Sequence, residues 1–464
     1  MSSKPNILFI LADQQRYDCI GKSNRYPVKT PNIDALAAEG VWFSNAFSPI
    51  PVCCPARQSM LRGKRAESFG ALWNYNNGLQ VSALEPTDYT WVKDLQKHGY
   101  CTGHIGKWSI HPHHNPDQYG FTNDIKESEY SAFRKKTYPD IAFHNGFLGE
   151  TDPVPLEDAR THWMAKKAVS MIKEYSLGDT PWLLSMDFPE PHLPCRPSGK
   201  FAEMYDPKDI PEWGSFPDTF MNKPYIQKQQ LVSWNIENYT WEDWAPIVAR
   251  YYGTISQVDD AIGIVLCALD QLGLKEDTIV IYSADHGDMC GGHRMLDKHY
   301  VLYDDNTHIP LVIRWPGKIA KGHDCSEFVC HSLDIPPTIL ECIDIELQDD
   351  FTGRSLLPLM KGEKVSDWRK EVVSTYNGQQ FGLYTQRMIR DKNWKYIWNT
   401  TDVDELYNLE QDPNELVNVI HRVENYELIQ SYRQKLYEVL VREGDDLVIG
   451  NDWLKNQLLN GKKI

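Results

Sequence analysis

Positive charge is scarce in this 464-residue chain, where 48 Lys and Arg stand against 64 Asp and Glu for a formal net charge of −16. A field of that sign repels nucleic acid and anionic membrane surfaces, so neither is expected as a partner. An anionic substrate must be attracted by local groups. Long apolar runs are missing too: the longest near the start, Ile7 to Ala12, is interrupted by Asp13 and falls short of a signal-peptide core and far short of a membrane span. The sequence therefore reads as cytoplasmic. Its ten cysteines (19, 53, 54, 101, 195, 267, 290, 325, 330 and 342) include no CxxC pair, which fits reduced thiols better than a disulfide framework or a zinc cluster. No internal repeat or low-complexity segment stands out. With 41% hydrophobic and 12% aromatic residues, the composition is that of a folded globular protein.

Three apolar runs have strand length: Asn6 to Ala12 (NILFILA), Trp182 to Phe188 (WLLSMDF) and Thr278 to Ala284 (TIVIYSA). Continuous apolar runs suggest strands buried on both faces. Between the last two, Val248, Tyr252, Ile255, Val258, Ile262, Val265, Leu266 and Leu269 recur at spacings of three and four, which predicts a long amphipathic helix over Trp244 to Leu272. Strands alternating with helices predict an α/β fold: a large, mainly parallel sheet flanked by helices. Ligands in such folds sit beyond the carboxyl ends of the strands, where Asp13 and the pair Asp285-His286 fall. After about residue 355 the texture changes to short alternating segments, with Gln386 to Ile397 and Glu405 to Leu409 flanking the turn at 399–402, and then a Leu/Glu/Lys-rich ending. Two domains are expected: a catalytic α/β domain over 1–355, and a smaller C-terminal antiparallel sheet with a helix over 356–464.

The most informative stretch runs from Cys53 to Gly63, a cysteine followed by Pro55 at +2, Arg57 at +4 and Leu-x-Gly at +8 to +10. Pro55 suits the start of a helix, whose dipole and free N–H groups favour an anion near residue 53, and Arg57 lies one turn on. The segment resembles the signature of type I sulfatases, within the alkaline-phosphatase-like superfamily. Other segments match that family in the same order: Pro5 to Arg16; Gly106-Lys107-Trp108; Pro191-His192-Leu193-Pro194; Ser283 to Asp288, continuing to Asp297-Lys298; and the tail Asp404 to Pro413. The likeness covers nearly the whole chain.

The resemblance implies a metal-dependent sulfuric ester hydrolase in which Cys53, rather than Cys54, is oxidised by a formylglycine-generating maturation enzyme. The hydrated aldehyde is then the nucleophile. It further implies one divalent cation held by Asp13, Gln14, Asp285, His286 and residue 53, with oxygen-rich ligation favouring calcium over zinc and magnesium or manganese as alternatives. Arg57, Lys107 and Lys298 would offset the negative charge, and His192 or Lys298 would protonate the leaving alcohol. The family usually places histidine directly after Gly-Lys-Trp; here Ser109 stands there, and His111 is the nearest replacement as base for the second step. The stretch from His111 to His114 otherwise reads as solvated polarity rather than a metal site. A small sulfated sugar or aryl sulfate is the expected substrate, with a phosphonate monoester or phosphodiester hydrolase and an inactive binding protein as the competing readings. Oligomeric state is not readable from the sequence.

Overall fold

The computed structural model describes residues 4–75, 82–347, 351–379 and 382–462. Its strands, in chain order, are β1 Asn6–Asp13, β2 Val41–Phe43, β3 Ala46–Phe47, β4 Cys101–Gly106, β5 Asn123–Lys126, β6 Trp182–Pro191, β7 Thr278–Ala284, β8 Leu311–Arg314, β9 His323–Cys325, β10 Val329–Cys330, β11 Val372–Gln379, β12 Gly382–Arg390, β13 Trp394–Asn399 and β14 Glu405–Asn408. Eight of them form one sheet in the order β5-β4-β6-β1-β7-β8-β2-β9. From β5 through β7 every neighbour is parallel; β8 alone runs antiparallel to both strands beside it.

The expected α/β architecture is therefore present, and the position of β1 explains its composition. It lies between β6 and β7, with Ile7 opposite both Leu183 and Ile279, so both of its faces are covered and its side chains from Ile7 to Ala12 are buried. Each of the five larger side chains, Ile7 to Leu11, contributes about 1.5–3 kcal/mol by leaving water. One group of helices, Pro31–Glu39, Arg160–Tyr175 and Trp241–Gln271, packs together on the sheet, and a second group, Cys53–Arg62, Trp91–Lys97 and His331–Cys342, does the same. The helix expected over Trp244 to Leu272 begins three residues earlier because Thr240 and Asp243 form a capping box. Among the described residues, no helix is long and apolar enough to cross a membrane.

The C-terminal strands form a separate antiparallel sheet, β11-β12-β13-β14, covered by the helix Tyr426–Glu443. The single run read over Gln386 to Ile397 is a hairpin instead: Asp391 Oδ1 accepts the N–H groups of Asn393 and Trp394, which turns the chain between β12 and β13. This sheet is tied to the rest of the molecule by buried polar contacts. Arg65 pairs with Glu443, Thr375 donates to Glu67, and Lys395 pairs with Asp304 at 2.6 Å.

Candidate active site

Parallel neighbours β4, β6, β1 and β7 end on the same edge of the sheet, and the polar residues that follow or close them converge there. β1 breaks at Asp13, where its register with β6 shifts and Gln14 takes a φ of 66°. A left-handed glutamine is a local cost sustained by its surroundings; here its N–H donates to Asp285 Oδ1 at 3.0 Å. β4 ends at Gly106, with a φ of 104°. A Cβ at that position would lie 2.2 Å from the Asp187 carbonyl oxygen, so glycine is what allows the chain to pass into Lys107. The helix Cys53–Arg62 points its N-terminus at the same edge, and its N-cap residue Val52 supplies no capping side chain.

Four buried groups meet at the centre. Cys53 Sγ lies 3.3 Å from His286 Nε2 and 3.7 Å from Asp13 Oδ1, and His286 Nε2 lies 3.8 Å and 3.7 Å from the carboxylates of Asp13 and Asp285. The other ring nitrogen of His286 faces the Gly287 carbonyl at 2.9 Å. In the neutral ring that contact keeps the proton on Nδ1 and turns the Nε2 lone pair toward the cluster, whereas the carboxylate of Asp285, acting against burial, favours the protonated ring in the absence of a cation. Two carboxylates and one acceptor nitrogen around residue 53 make a donor set fitted to a divalent cation.

Cations ring this centre. Arg57 Nε donates to Asp285 Oδ2 at 2.9 Å and Nη1 to the Lys107 carbonyl at 3.3 Å, whereas Nη2, 3.7 Å from Asp13 Oδ2, is buried without a hydrogen-bond partner. An orphaned guanidinium donor beside the nucleophile position suits an anionic oxygen. Lys107 Nζ donates to Asp13 Oδ2. Lys298 Nζ donates to Gln14 Oε1 at 2.7 Å and Asp297 Oδ1 at 3.0 Å, and sits 2.9 Å from His192 Nε2. His192 Nδ1 in turn faces its neighbour's carbonyl, that of Leu193, at 2.6 Å.

The fields follow from this arrangement. Burial alone would raise the Asp13 carboxyl, but Lys107, His192, Arg57 and His286 hold it far below the usual carboxylate range. Burial and the charge on Asp13 push Asp285 the other way, up. Burial and Asp13 also oppose ionisation of the Cys53 thiol, yet Lys107, Lys298 and His286 outweigh them and hold it well below its ordinary value. Cys54, one residue on, is pushed up to about 12 by burial. The two adjacent cysteines are thus electrostatic opposites: the site is built to hold negative charge at residue 53.

Of the residues singled out in the sequence, the fold brings together Asp13, Cys53, Arg57, Lys107, Asp285 and His286, with Lys298 and His192 adjoining. Gln14 is present through its backbone, while its side-chain amide bridges Asp288 Oδ2 (2.9 Å), Asp297 Oδ1 (3.0 Å) and Lys298. His111 is the exception. Its Nδ1 accepts the N–H groups of His113 and His114 at 3.0 and 3.1 Å, and its Nε2 lies 3.6 Å from Glu85. The turn at Pro112 thus folds the ring onto its own backbone, and His111 lines a pocket together with Lys107. The sequence reading also passed over His104, which spans Asp124 (3.0 Å) and Asp187 (3.1 Å), with Asp187 3.7 Å from Arg57. The available signal was a histidine and an aspartate inside otherwise apolar strand segments.

Residues 5–345 match the sulfatase family. The chain belongs to that family. Residues 291–442 of this sulfatase also match the C-terminal region of N-sulphoglucosamine sulphohydrolase. An arylsulfatase from Clostridium perfringens is 29% identical, over 97% of this chain and 98% of its own. Human arylsulfatase K is 28% identical over 94% and 82%. Among solved structures, the phosphonate monoester hydrolase of Agrobacterium radiobacter superposes with a TM-score of 0.82 at 26% identity, covering 95% of this chain and 96% of that one. A second phosphonate monoester hydrolase, from Silicibacter pomeroyi, shares the fold with a TM-score of 0.81 at 23% identity. The protein is a sulfuric ester hydrolase.

Proposed function

We propose that this sulfatase hydrolyses small sulfate monoesters with residue 53 as the nucleophile after oxidation of Cys53 to formylglycine. The observation that carries the reading is where Cys53 Sγ stands: at the open N-terminus of its helix, 3.3 Å from His286 Nε2 and 3.7 Å from Asp13 Oδ1, in the site that holds the unpartnered Nη2 of Arg57. Burial opposes ionisation at both cysteines, but Lys107, Lys298 and His286 outweigh it only at residue 53. A hydrated formylglycine supplies a nucleophile that frees sulfate by collapse of its own adduct, without a second attack at sulfur. A divalent cation, calcium in preference to magnesium or manganese, would be held by Asp13, Asp285, His286 and residue 53 with Gln14 alongside, and would supply Lewis-acid polarisation of the sulfate group.

The chain's own residues divide the remaining work. Arg57 offers Nη2, which lacks a protein partner, to a sulfate oxygen, while Asp285 fixes its Nε. Lys298 is buried, and Asp297 and Gln14 fix it as a positive charge. His192 is half-buried, lines a cavity of about 580 Å³ and faces the Lys298 ammonium through Nε2 at 2.9 Å, so the Lys298–His192 pair is positioned to deliver a proton to the leaving alcohol. Lys107 is itself an ammonium held by Asp13, and His111 Nε2 faces Glu85 at 3.6 Å, so the proton released in the second step goes to water. The cavity volume suits one or two sugar rings or an aryl group.

The phosphonate monoester reading is the second one, favoured by the Agrobacterium radiobacter enzyme, which aligns along 95% of this chain. Peptide mass spectrometry at Cys53, together with kcat/KM for aryl sulfate, sugar sulfate and phenyl phosphonate on one preparation, tests both. Conversion at Cys53 with sulfate esters preferred supports the first reading. An active enzyme with an unmodified Cys53 thiol defeats it, and a preference for the phosphonate installs the second.

A further inference from the structure

The cavity beside His192 extends past the reacting centre into a pocket lined by Arg134, Arg160 and Arg196. Two of these guanidiniums are already neutralised. Arg134 holds Asp152 with two hydrogen bonds, at 2.6 and 3.0 Å, and Arg160 reaches Glu127 at 2.9 Å and Glu190 at 2.7 Å. Arg196 has no carboxylate within 4 Å among the described residues, and its buried Nε has no hydrogen-bond partner. Its guanidinium lies 3.8 Å above the Phe143 ring, which fixes the plane of the group.

We propose that Arg196 is a specificity residue that binds a second anionic group, a carboxylate or a further sulfate, on a substrate whose sulfate ester lies at residue 53. This rests on the hydrolase reading above. The same chain segment carries both residues: His192 touches Lys298, and Arg196 follows four residues later, at most about 14 Å along an extended chain. A substrate of one or two sugar rings is long enough to reach between the two residues within the shared cavity. Arg134 and Arg160 commit donors to Asp152, Glu127 and Glu190, whereas the buried Nε of Arg196 has no protein partner. Burial, with Arg134 and Arg160, outweighs Glu150 and Asp152 and holds it below its ordinary range, so an incoming anion relieves an existing penalty. Glu190 adds an acceptor, since its Oε2 is buried and unpartnered, placed for a sugar hydroxyl. In a chain of net charge −16, this is a place built to receive negative charge.

The test compares the full-length matured enzyme with Arg196→Gln and Arg196→Lys on four substrates: 4-nitrophenyl sulfate, a neutral sugar with one sulfate, the same sugar with two sulfates, and a sulfated uronate. The expected result is a preference of about tenfold or more in kcat/KM for at least one dianionic substrate over the neutral monosulfate, as one charge-assisted hydrogen bond gives. Added salt narrows that preference. Arg196→Gln collapses the ratio, mainly through KM, and Arg196→Lys keeps part of it; the two dianions tell a carboxylate from a sulfate. The inference is overturned when the wild-type enzyme shows no preference, or when Arg196→Gln lowers all four substrates alike, as a purely structural stack on Phe143 would. Should none of the four be turned over by enzyme converted at Cys53, the hydrolase reading fails separately. Calorimetric titration of the disulfated and monosulfated sugars then decides the subsite by itself, with equal affinities counting against it.

Discussion

His104 is a buried imidazole between two carboxylates, and its effect on stability has a definite size and sign. Burial alone would favour the neutral ring, but hydrogen bonds to Asp124 and Asp187 win and raise its pKa from 6.5 to about 9. The native state therefore holds the proton more tightly than the unfolded chain. Below about pH 6.5 both states are protonated and the full stabilisation is present; it is lost as pH rises through about 9, where the folded imidazole deprotonates too. A shift of this size corresponds to about 3 kcal/mol at 1.36 kcal/mol per unit, a large part of the ordinary stability of a domain. Urea unfolding of the wild type and His104→Gln at intervals from pH 6 to pH 10 measures it. The wild type should exceed the variant most at pH 6, with the difference shrinking by about 3 kcal/mol by pH 10. A difference independent of pH would refute the ion-pair account and leave His104 as a packing residue. Because Asp187 also lies 3.7 Å from Arg57, activity should decline over the same window before global unfolding sets in.

Other substitutions separate neighbouring residues. Cys53→Ala should reduce turnover by a factor of about 10³ or more while far-UV circular dichroism is unchanged, whereas Cys54→Ala should stay within about tenfold of wild type; equal losses would undo the assignment of the nucleophile. Asp285→Asn should bind less than one equivalent of calcium by elemental analysis and lose activity with it, and full metal content would misplace the cation. His111→Ala should keep steady-state turnover within about twofold, because its ring is engaged with Glu85 and its own turn; a stalled, sulfated enzyme seen by mass spectrometry would restore His111 to the mechanism.

Much of this was legible in the sequence for a physical reason. A strand buried on both faces must be apolar throughout, so the runs at Asn6 and Thr278 announce themselves, and a carboxylate directly after such a run marks the edge where sites form. Side-chain direction was not legible. Whether the Gln14 amide faces the carboxylates or Lys298 depends on Asp288 and Asp297, more than 270 residues away. The contacts of His111 with its own turn and with Glu85 were equally hidden, because they depend on how the chain bends at Pro112. Arg196 carried no signal, because an arginine without a counter-charge can be recognised only after the partners of Arg134 and Arg160 are known.

The burial of Cys53, at 3% exposure, has a consequence in time. Its roof includes Asp285 and His286, which leave the ribosome 232 residues after it. At about 5–20 residues per second, translation of that interval lasts roughly 12–46 s. During those seconds β1 lacks β7, one of the two strands that flank it, and residue 53 lacks the imidazole that later sits 3.3 Å from it. On the maturation proposed above, an enzyme that oxidises Cys53 would act on the nascent or unfolded chain, before folding buries the thiol. Conversion should therefore be complete or absent in each molecule once it has folded, and a purified mixture of the two forms should keep its ratio when the maturation enzyme is added to native protein.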